Sequence, residues 1–251
     1  MAQLSDLVLS EQVAVVTGAA RGIGFAIATQ LSAAGARVAI VDIDGPGADA
    51  AAATLATPGG SGFVADVADE ANVQRAFGQI LDEYGRVDVL VNNAGIYPHM
   101  PYGEMSFSHW QHVVHVNLDS VYLCCNAVLP AMQAQGYGRI VNISSGAWLI
   151  GVPTLAPYVA AKAGVVALTR VLSRMHGPQG ITVNAIYPGL IETDNSLAQA
   201  PEAFDELVAA QDVRRRGKPA DIASCVMYLV RPDTEFLTGQ TINVDGGLTY
   251  T

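Results

Sequence analysis

Tyr158 and Lys162 stand four residues apart in a run that begins with Pro157. Proline suits the first position of a helix, and an i, i+4 spacing places both side chains on one helical face. Tyrosine titrates near pH 10 and is a poor base at neutrality. An ammonium beside it stabilises the phenolate and lowers that value. The pair is therefore a candidate for moving a proton on and off a substrate oxygen. Two further hydroxyls, Ser144 and Ser145, follow an apolar run, and Ser145 precedes Tyr158 by 13 residues. Asn117 lies in the long helical stretch before them.

A second group of residues suits an anion. Gly18, Arg21, Gly22, Ile23 and Gly24 fall directly between the strand-like run Val13–Thr17 and a helical stretch. Glycines there let the backbone approach a pyrophosphate, and the helix that follows offers free N–H groups and a positive dipole end. The spacing is G-x3-G-x-G rather than G-x-G-x-x-G, so position between strand and helix carries the reading. Asp42 ends the next strand-like run, 18 residues after Gly24. A carboxylate there accepts from adenosine ribose hydroxyls and repels a 2′-phosphate. Arg21 would attract that phosphate. Asp42 would occupy the 2′ position itself, so NAD is expected over NADP. Asp66 and Val67 follow the third run, and Asp66 reads either as an adenine contact or as a turn former. Asn93, Ala94 and Gly95 leave the fourth run, where small and amide residues suit a ligand crevice and loop tying alike, and both roles are expected.

The elements that must position these groups alternate. Strands are expected at Val13–Thr17, Arg37–Asp42, Gly62–Ala65, Val87–Asn92, Arg139–Ser144, Ile181–Tyr187 and Gln240–Val244, all short runs rich in Val and Ile. Helices are expected at 22–34, about 47–56, 69–84, 106–135, 157–176 and 219–230, with Gly35 as a C-terminal cap. This alternation predicts a doubly wound (Rossmann) α/β fold, a parallel seven-stranded sheet with helices on both faces. No linker divides residues 1–251, which read as one catalytic domain. The stretch 191–216 breaks the rhythm and reads as a substrate lid.

The net charge of −10, with 13 Lys+Arg against 23 Asp+Glu, argues against a nucleic-acid partner. Arg214, Arg215 and Arg216 read as a solvated or interface-facing turn. No unbroken apolar run reaches the ~18 residues of a membrane span. The first residues lack the pattern of a signal peptide. A cytoplasmic protein with no membrane partner is expected. Cys124, Cys125 and Cys225 fit neither a disulfide framework nor a zinc site. They read as small buried hydrophobes, and no metal is expected.

Taken in order, TGAARGIG, Asp42, NNAG at Asn92–Gly95, Asn117, Ser145, YVAAK at Tyr158–Lys162, Pro188-Gly189 and the closing GQTINVDGG resemble the short-chain dehydrogenase/reductase family along nearly the whole chain. The resemblance implies hydride transfer between a nicotinamide cofactor and an alcohol or carbonyl. It implies that Tyr158 exchanges the proton, Ser145 bonds the same oxygen, and Lys162 tunes Tyr158 and holds the nicotinamide ribose. It further implies that Asn117 anchors a relay water, Thr193 contacts the carboxamide, and the protein is a homotetramer. Some features are similar to members acting on aryl secondary alcohols, others to pyridoxal dehydrogenases. A dinucleotide sensor without catalysis is a remote alternative.

In such a fold the crevice lies beyond the carboxyl ends of the strands. The segments leaving those ends supply Tyr97, Met100, Trp148, Leu149, Ile150, Tyr187, Leu190 and Leu197, with His99 and Glu192 as the ionisable groups. Tyr97, Trp148, Leu149, Tyr187 and Leu190 are the expected substrate contacts. An apolar wall without a cationic cluster predicts a neutral aromatic or alicyclic secondary alcohol or ketone.

Overall fold

A computed structural model describes residues 8–199 and 203–250. Its seven strands are β1 (Val13–Thr17), β2 (Arg37–Asp42), β3 (Ser61–Val64), β4 (Val89–Asn92), β5 (Gly138–Ile143), β6 (Ile181–Pro188) and β7 (Thr241–Val244). All pair in parallel, in the order β3-β2-β1-β4-β5-β6-β7. The winding direction reverses between β1 and β4. A crevice therefore opens at their carboxyl ends, where the connections leave to opposite sides.

Strand periodicity divides the core. Val13 and Val15 of β1 pack on one face, with Phe77, Val128 and Val165. Ala14 and Val16 pack on the other, with Ile27, Leu31 and Val226. Both faces are covered, which is why the strands read as unbroken apolar runs rather than alternating ones.

The helices are α1 (Gly22–Ala33), α2 (Gly45–Ala52), α3 (Glu70–Tyr84), α4 (Phe107–Val114), α5 (Ser120–Gln135), α6 (Ala147–Ile150), α7 (Ala156–His176), α8 (Asp194–Gln199), α9 (Ala203–Ala210) and α10 (Pro219–Val230). Most strand and helix ends fall within two residues of expectation, α2 ends at Ala52 rather than 56, and two helix starts differ for local reasons. Helix α2 starts at Gly45 rather than about 47, because Asp44 caps it by accepting from the Gly47 amide at 3.1 Å. Asp69 is the cap of α3 rather than its first residue and accepts from Asn72 N at 2.8 Å. The stretch expected as one helix over 106–135 is divided by a π turn at His115–Asp119.

The helical runs 107–135 and 153–179 are long and apolar enough to cross a membrane by length and composition. Each lays a face on the sheet, through Cys124, Val128 and Met132 and through Val165 and Leu172. That packing is the behaviour of core helices. Cys124 and Cys125 are buried, Cys225 is half-buried, and all three are free.

The expected lid contains α8 and α9. Its ends are pinned by a bridge between Ile191 and Gly217. Residues 200–202 of that stretch lie outside the described residues. The three arginines are not merely solvated. Arg214 donates to the carbonyls of Val208 and Ala209 at the end of α9. Arg215 pairs with Asp221 at 2.7 Å. Arg216 lies 4.9 Å from the Phe204 ring centroid and reaches Asp205 and Glu192.

At the opposite end of the sheet, Asp88 is fully buried. It accepts from Val13 N at 2.9 Å and from both arms of Arg86 at 2.8 and 2.6 Å. Asp88→Ala strands that amide and loosens the β1–β4 edge. We expect a loss of about 2–4 kcal/mol, read from urea unfolding midpoints.

Candidate active site

The β1–β4 crevice is built by close backbone approach. Thr17 Oγ1 accepts from the amides of Asn93 and Ala94 at 3.0 and 3.2 Å. Asn93 Nδ2 returns bonds to the carbonyls of Thr17 and Gly18 at 3.0 and 2.9 Å. Asn93 and Ala94 thus tie the glycine loop to β4, the second of the two roles expected for that segment. Thr17 was not anticipated; nothing in its type or spacing distinguishes it from any strand-end threonine. A Cβ on Gly24 would stand 2.4 Å from Gly18 O and 2.6 Å from Asn93 Nδ2. Gly22 sits at φ +61 and opens α1. Arg21 is exposed and extended, and no side chain caps α1. The amides of its first turn, including that of half-buried Ile23, are free for an anion.

Asp42 is held in place by its own loop. One carboxylate oxygen accepts from Ala20 N at 3.0 Å and the other from Asp44 N at 3.1 Å. Asp66 is exposed and accepts from Ala68 N at 3.0 Å, so it does form a turn. Val67 beside it is buried.

On the other side of the crevice, α7 is stitched to the end of β5. Lys162 Nζ donates to Ile143 O at 2.8 Å, and Ser144 Oγ donates to Lys162 O at 2.9 Å. Ser144 thereby uses its hydroxyl on the helix. Ser145 Oγ accepts from Ala147 N at 3.2 Å, and its hydroxyl acts on Tyr158 to favour the phenolate. The Lys162 ammonium lies 5.7 Å from the Tyr158 ring centroid. Tyr158 keeps some surface open to the crevice while protein crowds it elsewhere. That burial pushes its phenol up to about 12, against the lowering effect of Ser145. Burial pulls Lys162 down to about 8. The lowering of Tyr158 expected from Lys162 does not arise in the chain alone, where desolvation dominates and Tyr158 holds its proton at neutral pH.

Asn117 sits in the π turn, fully buried. Its Nδ2 donates to Ile96 O at 2.8 Å and Val113 O at 2.9 Å. Its Oδ1 is buried with no partner among the described residues. A Cβ on Gly95 would lie 2.7 Å from that oxygen and 3.5 Å from Lys162 Nζ. Glycine there leaves both groups facing one spot.

The expected pocket residues fall into two sets. Tyr97, Trp148, Leu149 and Leu190 are half-buried around the crevice. Tyr97 packs on Tyr158 with centroids 5.9 Å apart. Tyr187, expected to meet the substrate, is instead 1% exposed. It is part of β6, and its ring lies edge-on behind Trp148 at 6.3 Å, supporting that wall from within. Leu190 also borders a cavity of about 190 Å³ lined in addition by Gln211 and Asp245. His99 bonds Thr154 Oγ1 at 2.7 Å and ties the loop after Gly95 to the one before α7. Pro188 is buried at the end of β6, and Gly189 N donates to Val244 O at 3.1 Å. Thr193 is steadied by Ser196, whose buried hydroxyl accepts from Thr193 N at 2.9 Å and donates to Ile191 O at 2.7 Å. No cluster of three or more potential metal ligands occurs among the described residues.

Over residues 18–249 the chain matches a family model described as enoyl-(acyl carrier protein) reductase. It is 40% identical over 244 residues to a 3-oxoacyl-[acyl-carrier-protein] reductase of Synechocystis, covering 96% of this chain and 98% of the relative. It is 39% identical over 243 residues to a subunit of (2S)-[(R)-hydroxy(phenyl)methyl]succinyl-CoA dehydrogenase of Thauera aromatica, covering 95% and 97%. A crystal structure assigned as a gluconate dehydrogenase from Agrobacterium tumefaciens superposes with a TM-score of 0.91 at 35% identity, covering 96% of this chain and 97% of that one.

The chain belongs to the short-chain dehydrogenase/reductase family. As a short-chain dehydrogenase/reductase it is an oxidoreductase that works with a nicotinamide dinucleotide. The residues present fit that group: the free amides at the uncapped start of α1 and the orphaned Asn117 oxygen both call for a polar ligand.

Lys162 carries a stability cost that can be measured. Its folded pKa lies below the ordinary 10.5, so the buried ammonium destabilises the fold below about pH 8. The cost is relieved as pH rises from there toward 10.5. Lys162→Met is expected to raise stability at pH 7 by about 2 kcal/mol, after allowing for the lost bond to Ile143. Unfolding midpoints measured from pH 7 to 10 should show that gain shrinking as pH rises.

Proposed function

We propose that this protein is an NAD-dependent dehydrogenase/reductase that interconverts a neutral secondary alcohol, aromatic or alicyclic, with its ketone. The observation that carries the reading is Tyr158, with Ser145 acting on its phenol and the Lys162 ammonium 5.7 Å from its ring, set across the crevice from the uncapped start of α1. When bound, the nicotinamide supplies or accepts the hydride. Tyr158, protonated at neutral pH, gives its proton to the carbonyl oxygen, which Ser145 steadies. Lys162 holds the nicotinamide ribose. Asn117 Oδ1 anchors a water that returns a proton to Tyr158 from solvent. Asp42 accepts from the adenosine ribose, Asp66 and Val67 border the adenine, and Thr193 meets the carboxamide. Residues 1–251 form one catalytic domain with 191–216 as its lid. It assembles as a cytoplasmic homotetramer through the apolar outer faces of α5 and α7.

The hydroxy(phenyl)methyl group in the name of the Thauera relative supports an aryl carbinol beside Tyr97, Trp148 and Leu149. A second reading, an acyl thioester such as a 3-oxoacyl one, is favoured by the Synechocystis relative and by the succinyl-CoA part of the Thauera relative's name. Such thioesters ride on a phosphate-bearing arm, which needs a cation near the mouth. Arg216 is already engaged there by Glu192 and Asp205. An assay of 1-phenylethanol against a 3-hydroxyacyl thioester, in both directions, separates the two. Higher kcat/KM for the thioester overturns the first reading.

Tyr158→Phe keeps the ring and removes the proton donor. Turnover is expected to fall by at least about a thousandfold while the nucleotide still quenches tryptophan fluorescence on binding. In the native protein a phenol pushed upward favours reduction at neutral pH, and the oxidation rate should climb as pH rises.

For the cofactor, NAD should be preferred to NADP by at least about tenfold in kcat/KM. Asp42→Ser should narrow that ratio, since the charge facing a 2′-phosphate is gone and Arg21 remains. Equal use of both cofactors by the native protein would sink the NAD reading.

A further inference from the structure

Helix α8 is anchored by a hydroxyl. Among its described residues only Ser196 is buried, at a place where an apolar side chain would gain more from leaving water. Ser196 Oγ accepts from Thr193 N at 2.9 Å. It gives its one proton to the backbone, with Ile191 O at 2.7 Å and Thr193 O at 3.0 Å in reach. Thr193 Oγ1 in turn accepts from Ser196 N at 3.2 Å. The two exchanges form a capping box that opens α8, with serine where glutamate or glutamine is usual. Backbone amides only donate and carbonyls only accept, so these directions are fixed. Ile191 is itself a fixed point. It is buried and bridged to Gly217, and a Cβ on Gly217 would stand 2.6 Å from its Cδ1. Thr193 also faces the glycine loop, since a Cβ on Gly22 would lie 3.7 Å from Thr193 Cγ2. A chain of bonds thus runs from the root of the lid, through Ser196, to a threonine at the glycine loop.

We propose that Ser196 is a positioning residue: it holds the Thr193 hydroxyl where the nicotinamide carboxamide docks, and through that hydroxyl it fixes the ring that exchanges hydride. This rests on the reading above in which Thr193 meets the carboxamide. A threonine side chain has three staggered positions about its first bond. The box selects one of them, the position that brings Oγ1 to Ser196 N and turns the methyl toward Gly22. In that position Thr193 Oγ1 donates to Ser196 Oγ at 3.1 Å. That is longer than the usual O–H···O range, so this proton is the one in the box most readily given to a ligand oxygen. Ser196→Ala removes the acceptor of Thr193 N and leaves the threonine free to turn. The groups expected to hold the adenosine and the diphosphate, Asp42 and the first amides of α1, take no part in the box.

The test is a binding measurement. Titration calorimetry gives the Kd of NADH and of ADP-ribose for the native protein, Ser196→Ala, Thr193→Val and the double variant. ADP-ribose keeps the adenosine, the diphosphate and the second ribose but lacks the ring, and the reduced ring of NADH carries no charge. The Kd of ADP-ribose divided by that of NADH therefore isolates what the ring contributes. Each single variant should lower this ratio about three- to tenfold, the equivalent of one hydrogen bond, with ADP-ribose binding unchanged. The double variant should fall no further than Thr193→Val alone, because Ser196 acts through Thr193. A ratio unchanged in Ser196→Ala overturns the proposal. So does a fall in ADP-ribose affinity equal to that in NADH affinity, which marks a general loosening, and so do effects that add in the double variant. A ratio unchanged in Thr193→Val overturns the carboxamide contact itself.

Discussion

The site depends on one reciprocal attachment. Lys162 reaches down to the carbonyl of Ile143 while Ser144 reaches up to the carbonyl of Lys162. Two bonds running in opposite directions lock the first turns of α7 to the carboxyl end of β5. Everything with chemical consequence hangs on that joint. Tyr158 is one helical turn before Lys162, and Ser145 is the residue after Ser144. The joint therefore sets the distance between hydroxyl and phenol without either having to hold itself in place. Burying an ammonium to make it is expensive, and the low value of Lys162 records that expense. The charge is retained where a neutral residue would fold better, the usual mark of a functional group kept against stability.

A second joint sits between β1 and β4, where Thr17 and Asn93 exchange bonds in both directions. The first joint orders the proton donors and the second orders the glycine loop. The sheet holds the two in register, because β1, β4 and β5 are consecutive neighbours with fully buried residues between them.

Much of this was legible in the chain, and the reasons differ by element. The strands declared themselves because both faces of the sheet are covered, leaving Val- and Ile-rich runs with few polar interruptions. The glycine loop and the Tyr158–Lys162 pair were legible because their chemistry demands particular residue types at fixed intervals. Thr17 and Ser196 were not, because their roles arise from backbone atoms and side chains brought near by the fold. The burial of Tyr187 was missed for a related reason. Alternation along β6 says that a side chain faces one layer or the other, but not that Trp148 will cover it. The shift in Tyr158 also needed coordinates. A neighbouring lysine is visible in a sequence, whereas the desolvation that raises the phenol is a property of everything packed around the ring.

The π turn at His115–Asp119 has a consequence for how this stretch can change over generations. A π turn holds one residue more than the α-helix it interrupts, and each residue advances a helix by about 100°. Asn117 faces the crevice because of that surplus. Losing a single codon anywhere in the stretch would let the backbone close into a regular helix, with local geometry improved. The amide would then rotate out of reach of Ile96, and α5 would arrive at the sheet with a different stripe facing inward. This short stretch tolerates exchange of side chains far better than any change in its length, so natural variation here should be written in substitutions and almost never in gaps.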